Sequence, residues 1–145
     1  MKRHAGIYLR AGTVFVFSVH GMVSGHRGLD DAVAFGADDA EGIGSALRAK
    51  LDGYQDDAPV PRWDLMKGDQ FPNLHAAAGV RSSSEFVKGA KHLSVVSDAG
   101  QITLIPYKKD GPGFSPVRGC DRTLSDALSD AEIGTAVFAA FADAQ

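Results

Sequence analysis

One phrase occurs twice in this chain, and it constrains the fold more than any other feature. Asp39-Ala40-Glu41-Gly42-Ile43-Gly44-Ser45-Ala46-Leu47 returns as Asp130-Ala131-Glu132-Ile133-Gly134-Thr135-Ala136-Val137. Each copy has the marks of a helix start. Asp38 or Asp39 can accept hydrogen bonds from the orphan N–H groups of the first copy, and Glu41 suits the positive end of the helix dipole. Ser129 with Glu132 fits a capping box in the second. Ile43, Leu47 and Leu51 then recur at four-residue spacing on one face, and Ile133, Val137 and Phe141 reproduce that spacing. Gly53 is the expected stop of the first helix.

Upstream of each copy lies an apolar segment broken by an Ala-Gly turn, Ala5 to Val19 in the first half and Lys91 to Tyr107 in the second. Gly6 to Leu9 and Thr13 to Val19 read as strands joined at Arg10-Ala11-Gly12. Leu93 to Val96 and Gln101 to Tyr107 read as strands joined at Asp98-Ala99-Gly100. The segment Val14 to Val19 is apolar on both faces, which places it centrally in its sheet. Gly21, Gly25 and Gly28 predict a flexible loop, followed by a weaker strand around Asp31 to Phe35. Residues 55–80 hold Pro59, Pro61 and Pro72 and the single tryptophan, Trp63, and read as an irregular connector that Trp63 pins to the core. Ser82 to Gly89 has a cap-like start and a terminal glycine, the pattern of one or two helical turns. Strand pairs followed by helices predict an α+β fold, a largely antiparallel sheet with packed helices. The expected organisation is a single domain over 1–145, with related units at about 5–54 and 90–144.

Composition narrows the function classes. At 145 residues and 44% hydrophobic, the chain can bury one core. No apolar run reaches eighteen residues and no signal leader opens the sequence, so a cytoplasmic protein without membrane contact is expected. Cys120 is the single cysteine, read as a small, partly buried hydrophobe. The net charge of −3 conceals an asymmetry: residues 1–29 carry four basic side chains and no acid, whereas residues 30–57 carry eight acids against Arg48 and Lys50. A basic protein partner fits that pattern better than direct nucleic-acid binding.

The chemistry-bearing residues form no strong constellation. His20, His26 and Asp30 come nearest to a metal-ligand set, but their spacing matches no zinc pattern. Cys120, a histidine and Asp121 lack the strand-to-helix elbow of a nucleophile. His92, at a strand start, reads as an ordinary residue. A small metal-dependent or cysteine hydrolase, or a homo-oligomeric scaffold, are the alternatives; the leading expectation is a non-enzyme with no cofactor and no metal. Two patches are candidates for partner binding. One is acidic, with Asp30, Asp31, Asp38 and Asp39, and would steer a basic partner. The other is Tyr107-Lys108-Lys109-Asp110, where a tyrosine anchor ends a strand beside exposed charge.

Phe86-Val87-Lys88-Gly89-Ala90-Lys91, Ile102 to Gly111, Gly113-Phe114-Ser115-Pro116 and Asp130-Ala131-Glu132-Ile133-Gly134 together resemble a bacterial immunity-protein family of contact-dependent growth inhibition (CDI) systems. Ile7-Tyr8-Leu9 and Ala40 to Leu47 are consistent with it. The resemblance implies an α+β protein that forms a one-to-one heterodimer with the toxic C-terminal domain of a large exported adhesin. Such toxins are commonly nucleases, and in some relatives the toxin adds a hairpin to the immunity protein's sheet. No interface residue carries over by motif.

Overall fold

Two long hairpins organise the sheet. In the computed structural model, which describes residues 2–23, 25–59 and 70–145, the first hairpin is β1 (Arg3–Arg10) with β2 (Thr13–Met22), and the second is β5 (Ala90–Asp98) with β6 (Gln101–Asp110). Their loops are Ala11-Gly12 and Ala99-Gly100, and all four residues have positive φ. That is the backbone of a two-residue turn whose twist matches the flanking strands. β1 and β5 pair antiparallel along Arg3 to Arg10, joining the hairpins at the centre.

Two short strands share the outer edge of each hairpin. β4 (Val33–Gly36) pairs with the first part of β2, and β3 (Gly25–Gly28) with its last part. β8 (Arg122–Ser125) and β7 (Gly113–Pro116) divide β6 in the same way. Among the described residues the result is an eight-stranded, wholly antiparallel sheet with the path β3-β2-β1-β5-β6-β7. The α+β architecture agrees with the sequence reading, and β2 lies inside the sheet as its two apolar faces require.

Strand alternation sorts the side chains into two layers. Ile7, Val14, Val16, Leu93, Val95, Ile102 and Leu104 point to one face, where they meet Ile43, Leu47 and Leu51 of α1 (Ala40–Asp52) and Ile133, Val137 and Phe141 of α4 (Asp130–Phe141). Asp39 caps α1 by accepting from the Gly42 N–H at 3.0 Å, and Ser129 with Glu132 forms the expected capping box on α4. The two helices touch through backbone. A β-carbon placed on Gly44 would collide with the Asp130 carbonyl, and one on Gly134 with the Ala40 carbonyl. The repeated glycines thus face one another across a single crossing.

Arg48 ties the same crossing together. Its guanidinium donates to the carbonyls of Asp126 (2.8 Å) and Leu128 (2.7 Å) and to the Asp130 carboxylate (3.0 Å). Arg48→Ala should therefore lower stability by about 2 kcal/mol in urea unfolding. Arg48→Lys should recover only part of that, because an ammonium cannot match a planar fork. An unchanged midpoint for the alanine variant would show that the three bonds contribute nothing.

The structure corrects the sequence reading in three places. The glycine segment expected as a loop contains β3, held in register by β2 although its side chains are largely exposed. The connector expected to be irregular contains α2 (Pro72–Ala78), in which Pro72 occupies the first turn, where its missing N–H costs nothing. The third concerns the last strands: β7 and β8 were not anticipated, and β6 runs past its expected end at Tyr107 to Asp110, where it pairs with β7. The weak strand lies at Val33–Gly36, and the turns after Ser82 form α3 (Ser83–Gly89), capped by Ser82. Pro61 and Trp63 lie outside the described residues.

A candidate binding face opposite the helix pair

Side chains that alternate with the main core point to the other face of the sheet. Tyr8 and Phe15 lie there with Phe86 of α3, Leu74 of α2, and Phe114 of β7. A cavity of about 400 Å³ opens among Tyr8, Phe17, Phe86, His92, Ser94 and Phe114. Its walls are mutually packed rings: Tyr8 stacks on Phe17 (5.0 Å, 17°), meets Phe86 edge-on (5.0 Å, 79°) and lies 4.8 Å from His92. The Phe17 ring rests on backbone, since a β-carbon on Gly6 would collide with it and one on Gly28 would come within 2.9 Å.

His92 sits directly across from Tyr8 in the β1–β5 register. Its Nδ1 lies 3.1 Å from the Ile7 carbonyl, which can only accept, so Nδ1 carries the proton and Nε2 is an acceptor. Burial pushes its pKa down to about 4, against a smaller upward effect of the Ile7 bond. Burial likewise pushes the Tyr8 hydroxyl up to about 12. Both groups are neutral at physiological pH. His92, ordinary in the sequence, is thus a principal polar group of this face.

The four acids expected to form a docking patch have different local roles. Asp30 accepts from the N–H groups of Asn73 and Leu74, both at 2.9 Å, and so caps α2 from 43 residues away. Asp31 accepts from the Ser18 N–H (2.9 Å) and pairs with Lys50 (3.1 Å). Burial raises its pKa, but the hydrogen bonds from Ser18 and Lys50 outweigh that and leave it lowered. Asp39 caps α1, and Asp38 is exposed beside it. The other patch adjoins the cavity. Tyr107 packs edge-on against His92 at 5.0 Å and 69°, Lys109 reaches the Lys88 carbonyl, and Lys108, Lys109 and Asp110 are exposed at the end of the β6–β7 hairpin.

His20, His26 and Asp30 do not assemble into a ligand set: among the described residues no three His, Cys, Asp or Glu side chains are placed to hold a metal. Instead Tyr54 donates to Asp56 at 2.8 Å, which makes His26 Nε2–H the donor to Tyr54 at 3.1 Å. His20 Nδ1 accepts from the Gln55 N–H. The His26 ring lies 4.1 Å from that of His4, a neighbour the sequence did not suggest. Cys120 is partly buried.

Comparison with known proteins decides the family. The model of the CDI immunity protein family matches residues 66–144, more than half of the chain and the whole stretch from α2 to α4. The chain belongs to the CDI immunity protein family. Two solved structures share the fold of this CDI family member over its full length. One is a protein of unknown function from Neisseria meningitidis, 14% identical, with a TM-score of 0.82 over 100% of this chain and 96% of that one. The other belongs to a CdiA-CT/CdiI toxin and immunity complex from Yersinia pseudotuberculosis, 15% identical, with a TM-score of 0.74 over 100% and 98% of the two chains. No curated protein matches this family member in sequence. Among its described residues, no helix is long and apolar enough to cross a membrane.

Proposed function

We propose that this chain acts as an immunity protein in the cytoplasm, neutralising the toxic C-terminal domain of a CDI effector by one-to-one binding, without turnover or cofactor. The observation that carries this reading is the family match, supported by a fold shared end to end with a chain of a toxin–immunity complex. A nuclease is the favoured target. Such a toxin needs basic surface to hold a phosphate backbone, which the acids of residues 30–57 complement.

The β6–β7 hairpin is the favoured contact. Tyr107 is half-buried against His92 and therefore needs little further ordering on binding, while Lys108 and Asp110 project beside it. A rigid aromatic anchor in a charged rim is the usual anatomy of an interface centre. β7 also has β6 as its only strand partner among the described residues, which leaves an edge where a toxin hairpin can pair. Asp30, Asp31 and Asp39 have internal partners, so the acidic patch acts here through long-range steering, with Asp38 exposed beside Asp39.

Binding kinetics with the purified toxin domain separate the two patches. Tyr107→Ala should weaken affinity by about thirtyfold, mainly through faster dissociation. Asp38→Lys should slow association severalfold at low salt and leave dissociation unchanged. Asp38 is the cleaner electrostatic probe, because replacing Asp30 or Asp31 also removes structural bonds. Wild-type kinetics for Tyr107→Ala would exclude the hairpin as the contact.

A further inference from the structure

We propose that the aromatic cavity is a binding site for a small, uncharged, planar aromatic molecule that carries one hydrogen-bond donor, of the indole or phenol class. The site adjoins the hairpin end proposed to meet the toxin, since Pro112, Gly113 and Phe114 line it, but small-molecule binding by the chain alone does not depend on that reading.

Size and wall chemistry set the ligand class. An apolar cavity of about 150 Å³ is enough to admit benzene, so about 400 Å³ leaves room for a bicyclic ring. Among the described lining residues there is no Asp, Glu, Lys or Arg. A charged ligand would therefore lose its hydration without gaining a counter-charge. The rings present both faces and edges: Tyr8 and Phe17 are stacked, Phe86 stands edge-on to Tyr8, and Phe114 is tilted at 5.3 Å from His92. Planar π-systems are the guests that exploit such a surface.

Polar atoms set the orientation. His92 Nδ1–H is committed to the Ile7 carbonyl, leaving Nε2 as an acceptor. Neither that nitrogen nor the Tyr8 hydroxyl has a hydrogen-bond partner among the described residues. Since no buried side-chain polar atom of the described residues lacks one, both atoms are accessible rather than sealed in. Both residues line the cavity. An N–H or O–H donor on the guest meets Nε2, and the Tyr8 hydroxyl is left to donate to an acceptor on a phenol-type guest. The site is preformed, because Phe17 is seated flat on Gly6 and Gly28.

The test is calorimetric titration of the purified full chain with indole, N-methylindole and benzoate. Indole should bind one site with a dissociation constant below about 1 mM, the range open to so small a ligand. N-methylindole, which lacks the donor, should bind at least fivefold more weakly, and benzoate should show no saturation. In His92→Phe, which keeps a ring and removes the acceptor, indole should fall to the affinity of N-methylindole. Gly6→Ala, which drives the Phe17 ring into the cavity, should abolish binding of both; thermal melts identify any variant that fails to fold, and Tyr8→Phe with a phenol titration then replaces it, with a fivefold loss expected. Three results would overturn the proposal: no saturable indole binding, benzoate binding as tightly as indole, or equal affinities of indole and N-methylindole for the wild type.

Discussion

Gly44→Ala and Gly134→Ala are each expected to destabilise the protein by about 3 kcal/mol, lowering the melting temperature by about 10 °C. Alanine is ordinarily the better helix former, so propensity alone predicts a gain of roughly 1 kcal/mol. The opposite sign is expected here because of what each new methyl group would strike. Both colliding atoms are backbone carbonyls, of Asp130 and Ala40, which cannot rotate away as a side chain can. Relief requires α1 and α4 to move apart, and that loosens the contacts of Ile43, Leu47, Ile133 and Val137 with the sheet. The two substitutions act on one crossing, so the double variant should lose less than the sum of the singles: once the helices have separated, the second methyl group finds space. Thermal unfolding of the three variants checks this. A Gly44→Ala protein as stable as the wild type would show that the helices do not meet through backbone.

Acidification should weaken the fold through His92. Its folded pKa of about 4 lies below the unfolded value of 6.5, so between those values the unfolded chain binds the extra proton. The stability associated with keeping this imidazole neutral is fully present above pH 6.5 and is lost as pH falls toward 4, a total of about 3 kcal/mol. Urea unfolding at pH 7.5 and pH 4.5 should show most of that loss in the wild type. In His92→Phe the same pH step should cost about 2 kcal/mol less. The lowered pKa of His4, set first by burial and then by the charge of His26, contributes in the same window, but it is common to both proteins and cancels in the comparison. Asp31, also lowered, acts in the carboxylate range below that window. Identical pH dependence of wild type and variant would mean that His92 is not buried in its neutral form.

How much of this was legible in the sequence depends on whether the determining interaction is local. The caps of α1 and α4, their four-residue apolar spacing and the Ala-Gly turns are all short-range, and the sequence shows each of them. β3 and β8 are not legible because Gly25-His26-Arg27-Gly28 and Arg122-Thr123-Leu124-Ser125 bury almost nothing, so no alternation marks them; backbone bonds from β2 and β6 hold them. α2 starts at a proline with no local side-chain cap, and the groups that satisfy its N–H donors belong to Asp30, far back in the chain. The same distance explains the acids. As a run they read as a docking patch, yet Asp30, Asp31 and Asp39 each accept from a backbone N–H.

The cavity lies between these cases. Val14, Phe15, Val16 and Phe17 announce a strand with two apolar faces, which implies something to cover the second one. What covers it comes from α2, α3 and β7, whose positions only the fold supplies. The histidines are placed by equally distant contacts: His20 and His26 fall on adjacent strands, but Asp30 turns to α2 and His4 takes the neighbouring place.

The central claim, that this chain neutralises a CDI toxin, is tested most directly by protection. The toxic C-terminal domain of the cognate CDI effector is induced in cells with and without this protein, and growth and co-purification are followed together. The account predicts that growth continues only in the protected cells and that the two proteins purify as a one-to-one complex. Equal growth arrest in both cultures, with no complex recovered, would contradict it.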